Sequence, residues 1–280
     1  MKDPVTNFTF GDVTYDLASR THIMGILNVT PDSFADGGRY QDSDAAVEHG
    51  LMMAREGADF IDIGGASSRP GSEPVAGDEE LKRILPVIRR LSSELGIPLS
   101  VDTYRSDVAE AALRAGASIV NDITSFHGDP RMGDVIAGHG ASVVLMHMQG
   151  TPKTMQTEPH YENVLEEVIG FLQERIHHAR EKGIDQVIVD PGIGFGKSLA
   201  HNLALLRNLG ELKRLECPVL VGPSRKSFIA AILDLPVEDR LEGTAAAVAA
   251  AVMNGAAIVR VHDVKEMKRV ASVTDAIVHG

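Results

Sequence analysis

Polar side chains capable of acid, base or ion chemistry recur directly after short apolar stretches along this sequence. The first polar residues after eight such stretches are Asn28; Ser67, Ser68 and Arg69; Asp102; Asn121 and Asp122; His147 and Gln149; Asp190; Ser224, Arg225 and Lys226; and Arg260, His262 and Asp263. If the stretches are parallel strands of one sheet, their carboxyl ends meet at one edge and these side chains come together. Any strand that leaves a core meets polar residues, so the chemistry of the whole set has to decide its meaning.

One group of these residues accepts hydrogen bonds. Asp102, Asn121 and Asp190 supply two carboxylates and an amide, and a carboxylate accepts two parallel hydrogen bonds from adjacent N–H groups. Such acceptors are what the recognition of a flat, donor-rich heterocycle, for example an aminopyrimidine, requires. This acceptor group therefore predicts a ring ligand.

A second group is cationic and consists of Arg69, Lys226, Arg260 and His262. Guanidinium and imidazole donors suit phosphate oxygens. The cations stand in a chain with a formal net charge of −12, which argues against general binding to nucleic acid or to an anionic membrane, because both require a basic surface. Together the two groups predict a heterocycle that bears phosphate as the ligand.

The segment 192–198, with the sequence GIGFGKS, is close to a phosphate-binding P-loop. A P-loop needs four residues between its first glycine and the Gly-Lys pair, whereas three stand here. We therefore expect no P-loop at this segment. The glycines after Asp190 are expected to let the backbone pass close to a bound ring.

The elements that must position these side chains follow a repeating pattern. Each unit reads as a helix, a glycine that closes it, four or five apolar residues and an abrupt polar residue, as in segments 57–63, 116–122 and 255–260. Continuous β-branched runs are typical of strands buried on both faces. The strands are predicted to end near Leu27, Ile63, Val101, Val120, Met146, Val189, Val221 and Val259. Alternating strands and helices imply parallel strands, and eight units imply an α/β fold that closes into a (β/α)8 TIM barrel.

Further segments frame the predicted barrel. Residues 8–15 alternate around a Gly-Asp turn and predict an N-terminal β-hairpin that plugs one barrel end. No linker interrupts the pattern, so we predict one domain over residues 1–280, with residues 1–20 as the hairpin extension. Two loops rich in Gly, Pro and Ser, 30–40 and 64–77, follow strands on the face where such barrels hold their chemistry, and they are candidate lids.

Cysteine usage and hydropathy indicate the compartment. The single cysteine, Cys217, excludes a disulfide framework and is typical of the cytosol. The first ten residues lack a basic segment followed by an apolar run, so we expect no signal peptide. The longest apolar stretch, 244–253, is too short to span a bilayer. We expect a cytoplasmic protein without a membrane or nucleic-acid partner.

Sequence blocks spread in order over nearly the whole chain carry a specific likeness. They are 25–34 (GILNVTPDSF) with 36–38, 61–65 (IDIGG) with 67–71 (SSRPG), 100–103 (SVDT), 121–123 (NDI), 146–152 (MHMQGTP), 190–197 (DPGIGFGK), 224–227 (SRKS) and 260–263 (RVHD). The chain resembles the dihydropteroate synthase family in all of them. It departs at Ala66, where many members have glutamate, and at Ser68, where many have threonine. We expect the missing carboxylate at Ala66 to affect how the second loop is anchored.

The resemblance implies a transferase of folate biosynthesis. That family joins 6-hydroxymethyl-7,8-dihydropterin diphosphate to p-aminobenzoate and releases diphosphate and 7,8-dihydropteroate. The implied residues are Asp102, Asn121, Met146, Asp190, Phe195, Gly222 and Lys226 for the pterin; Ser68, Arg69, Arg260 and His262 for the diphosphate; Phe34, Pro70, Phe195 and Ser227 for p-aminobenzoate; Asn28 for Mg²⁺; and Asp36, Lys226 and Arg260 for catalysis. It also implies sulfonamides as inhibitors and a homodimer. Mg²⁺ suits a site with few protein ligands that uses the substrate's own phosphates.

The chemistry favours a dissociative path in which diphosphate leaves first and the arylamine then attacks the pterin methylene cation. Three alternatives stay open at this point. One is a Schiff-base aldolase that uses Lys226, whose pKa the neighbouring Arg225 would lower. Another is a pterin-binding barrel of the methyltransferase kind, which would share the acceptor group but has no use for the cations. The third is a non-catalytic binding module, against which the cationic group argues.

Overall fold

The described part of the chain, residues 6–30, 38–66, 72 and 75–280 of a computed structural model, begins with a hairpin. Strand β1 (Asn7–Phe10) pairs antiparallel with β2 (Val13–Asp16). Phe8 and Phe10 are buried, and the ring of Phe10 meets that of Phe60 edge to face with centroids 5.1 Å apart. The predicted hairpin is confirmed, and its aromatic face closes the amino-terminal end of the barrel.

Eight parallel strands form the barrel wall. They are β3 (His22–Asn28), β4 (Phe60–Gly64), β5 (Leu99–Asp102), β6 (Ile119–Asp122), β7 (Ser142–Met146), β8 (Val187–Asp190), β9 (Leu220–Val221) and β10 (Ile258–Val261). Their order in the sheet is β8-β7-β6-β5-β4-β3-β10-β9. Val189 N–H donates to Pro218 O at 3.0 Å and forms a parallel bridge to Val219, so β8 meets β9 and the sheet closes. The TIM barrel predicted from the sequence is confirmed.

Helices follow the strands and cover the outside of the barrel. They are α1 (Gly38–Arg55), α2 (Gly77–Glu94), α3 (Ser106–Arg114), α4 (Met132–His139), α5 (Val164–Glu181), α6 (Leu199–Arg207), α7 (Ser227–Leu233), α8 (Leu241–Met253) and α9 (Val264–His279), with 3-10 turns at Leu209–Leu215 and Val237–Asp239. The glycines that end several of them have positive φ, as predicted. Gly116 also needs its hydrogen, because a Cβ there would lie 2.5 Å from Ser92 Cβ. Within the described ranges no helix is both long and apolar enough to cross a membrane.

The main hydrophobic core lies between the strands and the helices. Ile61 and Ile63 of β4 face outward and are fully buried in it together with Val87 and Leu91 of α2. Burial of each such side chain contributes about 1.5–3 kcal/mol, so this layer holds the strands in place. The strand ends are therefore fixed points from which polar side chains can be aimed.

Candidate active site

Alternation along the strands sends a second set of side chains into the barrel interior. The lower members of this set form an apolar floor with the hairpin. They are Phe60, Ile119, Val144, Ile188, Leu220 and Ile258. Side chains two positions further along a strand point the same way. Those positions, together with Asp102, make up the upper layer: Asp62, Asp102, Asn121, Met146, Asp190, Gly222 and Arg260. Most of the predicted pterin residues therefore converge at the carboxyl end of the barrel.

Arg260 stands at the centre of a hydrogen-bonded network in the upper layer. Its Nε donates to Asp62 Oδ2 at 2.6 Å and its Nη2 donates to Asp102 Oδ2 at 2.8 Å. Asn121 Nδ2 donates to the same Asp62 oxygen at 2.9 Å. The acceptor and cationic groups predicted from the sequence are thus interleaved at Arg260, because its guanidinium binds Asp102 of the acceptor group together with Asp62. The guanidinium crosses the barrel interior from β10 to β4 and β5.

Charge is unevenly satisfied within this network. Burial raises the pKa of Asp102 to about 7, with Arg260 opposing the rise and Asp62 adding to it. Burial acts to lower the pKa of Arg260, but the two carboxylates outweigh it and the net shift is upward. Asp62 is fully buried and its Oδ1 has no hydrogen-bond partner among the described residues. One guanidinium therefore serves two carboxylates, which leaves acceptor capacity in the network.

Asp190 and Lys226 form the other half of the upper site. Asp190 Oδ1 accepts a hydrogen bond from Gly192 N at 2.7 Å, and burial raises its pKa against the opposing charge of Lys226. Lys226 Nζ donates to Ile193 O and lies 4.5 Å from the centroid of the Phe195 ring. Burial lowers the pKa of Lys226 to about 8. A carboxylate, an ammonium and an aromatic ring are thus held close together.

Gly222 lies just after the end of β9, next to these groups. A Cβ there would lie 3.7 Å from Arg260 Cβ and 3.7 Å from Lys226 Nζ. The glycine therefore leaves the space between the arginine stem and the lysine ammonium open. The structure thus places Gly222 beside Arg260 and Lys226, and its role in binding the pterin stays a prediction.

The side chain of His262 is oriented by Ser224, which is also one of the polar residues that the sequence places at the strand ends. Ser224 Oγ lies 2.9 Å from His262 Nδ1, and His262 N donates to Ser224 Oγ at 3.3 Å. Arg225 does not join the site, because its Nε and Nη2 donate to Asp263 at 2.9 and 2.6 Å. Its left-handed backbone, with φ of 56°, turns the chain between Ser224 and Lys226. Ser227 follows at the exposed start of α7.

Two of the three glycines after β8 meet protein backbone, which corrects for them the expectation that they make room for a ring, whereas a Cβ on Gly194 would meet the Lys226 side chain. A Cβ on Gly192 would lie 1.9 Å from His147 O, and one on Gly196 would lie 2.6 Å from Gln149 O. Both glycines also have positive φ, so a side chain is disfavoured both by the lack of space and by the backbone conformation. The segment after β7 is pressed against this loop.

Two residues of the site escaped the sequence reasoning. Asp62 is one, and its signal was a carboxylate at an alternate position inside an apolar strand. Lys197 is the other, since it was considered only as part of a failed P-loop. Its buried Nζ lies 3.0 Å from His147 Nδ1 and donates to His147 O at 3.2 Å and to Phe195 O at 2.9 Å.

An open cavity of about 710 Å³ lies beside the network, large enough for a drug-sized ligand. Asp102 and Met146 line it from the upper layer, and Ala66 lines it from the end of β4. The base of the loop at 64–77 is held from α2, where Arg83 Nη1 donates to Gly65 O at 2.8 Å. The effect of alanine at position 66 on this anchoring stays a prediction.

Several predicted residues cannot be placed. Phe34, Asp36, Ser68, Arg69 and Pro70 lie outside the described residues, as do most of the two candidate lids. Asn28 is described and is the half-buried last residue of β3, with its Oδ1 3.8 Å from where a Cβ on Gly64 would lie. Its side-chain oxygen therefore stands at the rim of the barrel.

Known proteins share both the sequence and this architecture. A family model described as "Pterin binding enzyme" matches residues 24–262. Dihydropteroate synthase of a Synechocystis species is 48% identical over 270 residues, which cover 95% of this chain and 93% of that protein. The Yersinia pestis dihydropteroate synthase in a sulfonamide drug complex has a TM-score of 0.93 at 43% identity and covers 98% of this chain and 100% of its own. The Xanthomonas albilineans enzyme in complex with 7,8-dihydropteroate has a TM-score of 0.88 at 43% identity, covering 97% of this chain and 98% of its own. The chain belongs to the dihydropteroate synthase family of pterin-binding enzymes.

Proposed function

We propose that the upper layer binds 6-hydroxymethyl-7,8-dihydropterin diphosphate and joins it to p-aminobenzoate by a dissociative substitution. Family membership makes the chain a transferase of folate synthesis. The solved relatives with 7,8-dihydropteroate and with a sulfonamide support these small molecules as ligands. The observation that carries the proposal is the Arg260 network, in which a guanidinium shares one site with a carboxylate oxygen, Asp62 Oδ1, that has no partner among the described residues.

The acceptors of the upper layer suit the pterin ring. Asp102, Asn121 and Asp190 surround one interior space and supply oxygens for its ring and exocyclic N–H groups. Met146 supplies an apolar wall and is almost completely buried. Lys226 and Phe195 stand at the mouth of the space, where the reacting methylene group would lie.

The cations suit the leaving diphosphate. Arg260 lies on β10 and His262 lies just after it, and Lys226 Nζ and Arg260 Cβ each lie 3.7 Å from where a Cβ on Gly222 would be, so these side chains are close enough to act on one leaving group. Preorganised charges of this kind stabilise a leaving group without reorganising during the reaction. We assign Ser68 and Arg69 to the same task on the basis of the family resemblance.

Mg²⁺ is proposed to assist at Asn28. Mg²⁺ neutralises negative charge on a diphosphate when it is bound. Among the described residues no three His, Cys, Asp or Glu side chains cluster as a metal site, so most ligands would come from the substrate's phosphates and water. The rim position and oxygen donor of Asn28 fit this role.

The p-aminobenzoate is proposed to bind last. Phe195 and the exposed Ser227 would form its described wall, and Phe34, Asp36 and Pro70 would contribute from the two loops. An arylamine is largely neutral at about pH 7, so it needs little activation as a nucleophile. The protein then supplies mainly positioning and electrostatics.

Product formation tests this proposal directly. We expect 7,8-dihydropteroate and diphosphate to appear in equal amounts only when both substrates and Mg²⁺ are present. We also expect p-aminobenzoate to bind only in the presence of diphosphate or of the pterin diphosphate. Tight binding of p-aminobenzoate to the protein alone would contradict the binding order, and absence of product would contradict the function.

We further propose a cytoplasmic homodimer. Ile232, Met253, Val273 and Ile277 are more than half exposed on α7, α8 and α9, which pack side by side. Such a patch is typical of an interface, and a second copy of the chain is the partner we propose. Light scattering after gel filtration should give a dimer that Ile277→Asp converts to a monomer. A monomeric wild type would overturn the proposal.

A further inference from the structure

Lys197 is a buried cation without an anionic contact. The residue is 3% exposed, and its three close partners are two carbonyl oxygens and an imidazole nitrogen. Among the described residues it forms no ion pair. Burial of an unpaired ammonium opposes folding, and burial accordingly lowers its pKa to about 7. A methionine of similar length would fill the space without this penalty, so the charge needs an explanation other than stability.

The ammonium joins two segments that follow neighbouring strands. His147 comes directly after β7, and Phe195 lies in the glycine-rich segment after β8. The contact is reinforced around it, since Gln156 Nε2 donates to Gly194 O at 2.8 Å and Tyr161 Oη donates to Gly196 O at 2.7 Å. Lys197 therefore sits at the seam between the segments and fixes the carbonyl of the residue whose ring covers Lys226.

The same seam holds Asp190. His147 N donates to Asp190 O at 3.0 Å, and Gly192 N donates to Asp190 Oδ1 at 2.7 Å. A Cβ on Gly192 would lie 3.2 Å from Lys197 Nζ, so the ammonium lies directly behind the peptide that donates to the carboxylate. Its positive charge favours the ionised form of Asp190.

We propose that Lys197 is a positioning residue of the pterin site, whose ammonium fixes the glycine-rich segment against the segment after β7 and places its positive charge behind the peptide that donates to Asp190. This role rests on the proposed function, in which Asp190 accepts N–H groups of the pterin. Lys197 touches no reacting atom in this account. It acts through Asp190 and Phe195.

Other charged groups face this pair and have to be considered. Lys226, just before α7, and Arg260 of β10 also favour the ionised form of Asp190. His147 faces Lys197, and burial together with the ammonium lowers its pKa to about 3. The imidazole is therefore uncharged at about pH 7. His201 of α6 also has a lowered pKa, through burial and then through Lys197. Near neutrality the titrating group at the seam is Lys197 itself.

Two variants separate the charge from the hydrogen bonds. Lys197→Gln removes the charge but keeps two N–H donors, whereas Lys197→Met removes both. Lys182→Gln is the matched control, since Lys182 is a half-buried lysine whose Nζ donates to Asp134 at 2.6 Å, away from the site. All three are made in the full chain, and thermal melting checks that each one folds.

The deciding measurement is the pKa of the Asp190 carboxyl, read by ¹³C NMR on aspartate-labelled protein and assigned with Asp190→Asn. We expect Lys197→Gln and Lys197→Met to raise it by about one pH unit, and Lys182→Gln to leave it unchanged. Affinity for 6-hydroxymethyl-7,8-dihydropterin should fall in both variants as pH is lowered through the Asp190 pKa, and by roughly tenfold well below it, because only there does one pH unit correspond to a factor of ten in the ionised fraction. Only Lys197→Met should in addition raise the KM for p-aminobenzoate, since it alone frees the Phe195 carbonyl.

An unchanged Asp190 pKa in Lys197→Gln would overturn the proposal. A loss of pterin affinity that is equal at every pH would overturn it as well, because that is the result of a purely structural role. The NMR readout does not require a ligand. If the pKa rises as expected but wild type binds no dihydropterin, the proposed function fails while the electrostatic coupling between Lys197 and Asp190 stands.

Discussion

The two ends of the barrel each contain an arginine paired with aspartate, and they differ in how well the charges are satisfied. At the amino-terminal end Arg20 donates to both oxygens of Asp59, at 2.9 and 2.6 Å. Ile23 N adds a hydrogen bond at 2.8 Å and Lys268 adds another at 3.3 Å. Burial alone would raise the pKa of Asp59, but these partners outweigh it and lower the pKa.

The carboxyl-terminal end has the opposite balance. Arg260 is shared by Asp62 and Asp102, one oxygen of Asp62 has no partner among the described residues, and the pKa of Asp102 rises to about 7. The lysines nearby are shifted in the complementary direction, with Lys197 and Lys226 lowered to about 7 and about 8. Charges at this end are held in an environment that opposes them.

This difference separates stability from function in one fold. Residues at the amino-terminal face of a TIM barrel commonly serve stability, and those at the carboxyl-terminal face serve chemistry. Here the Arg20–Asp59 pair at the first face has partners for both of its charged groups, whereas the second face leaves acceptors and cations for a ligand to complete. The perturbed pKa values at the second face result from charged groups that lack a full set of partners.

We expect the largest effect on activity from substitution of Arg260, with Arg20 as the comparison. Arg260→Ala should reduce kcat/KM by about 10²–10⁴, because it removes charge from the leaving group and leaves Asp62 and Asp102 buried without a cation. Arg20→Ala is the matched control and should keep kcat/KM within about threefold, since its guanidinium is partly exposed and far from the cavity. A diphosphate-release assay measures both. Equal activity of wild type and Arg260→Ala would remove the phosphate assignment.

Asparagine substitutions should show that Asp102 and Asp59 contribute to the free energy of unfolding with different pH dependence. In the folded protein the pKa of Asp102 lies above its ordinary value of 3.8. Between about pH 4 and about pH 7 the folded protein therefore holds a proton that the unfolded chain has lost, and the protein becomes less stable as pH rises through this range. Asp102→Asn should therefore gain stability relative to wild type by about 2–4 kcal/mol between about pH 4.5 and pH 8, and lose activity. Chemical denaturation at the two pH values measures the gain.

Asp59→Asn is the control for that experiment. The folded pKa of Asp59 is lowered, so its contribution to stability is complete above the ordinary pKa and is lost only as pH falls below it. The variant should be less stable than wild type by the same amount at both pH values. A loss that grows between the two values would contradict the comparison of the two ends.

Substitution of Lys197 should change the free energy of unfolding less than substitution of Asp102, and with the opposite dependence on pH. Its folded pKa of about 7 lies below the ordinary 10.5, so folding expels a proton and the residue becomes more destabilising as pH falls from about 10 to about 7. Lys197→Gln should therefore stabilise the protein more at about pH 6.5 than at about pH 9, by on the order of 2 kcal/mol. Thermal melting at both pH values measures it, and an equal effect at both would place the lysine pKa near its ordinary value.

The smallest expected effect lies at the plug of the amino-terminal end. Gln186 Oε1 accepts from Thr9 N at 2.5 Å and its Nε2 donates to Thr9 O at 3.0 Å, which ties the hairpin to the barrel. Gln186→Ala should cost about 0.5–1.5 kcal/mol of unfolding free energy and leave kcat unchanged. A change in kcat would show that the plug is coupled to the site.

Much of this arrangement was predictable from local sequence. The strand ends fall within about two residues of their predicted positions, because β-branched runs bounded by glycine specify them closely. Asp102, Asn121, Asp190 and Arg260 were found because each is an inward position at the end of such a run.

The errors come from contacts between elements distant in sequence. Asp62 was missed because the search began after each strand, whereas the side chain points inward from within one. Arg260 reaches across the interior to β4 and β5, and no local pattern reports that contact. The glycines at 192 and 196 are required by the backbone of the segment after β7, which only the folded barrel brings near.

Titration of Asp102 and Asp59 in the same sample, followed by ¹³C NMR, shows whether the carboxyl-terminal end of the barrel holds uncompensated charge in the free protein. We expect Asp102 to titrate near pH 7 and Asp59 to titrate below its ordinary pKa. We also expect 6-hydroxymethyl-7,8-dihydropterin to lower the pKa of Asp102 and to leave that of Asp59 unchanged. An Asp102 carboxyl that titrates at or below 3.8 in the free protein would contradict this expectation.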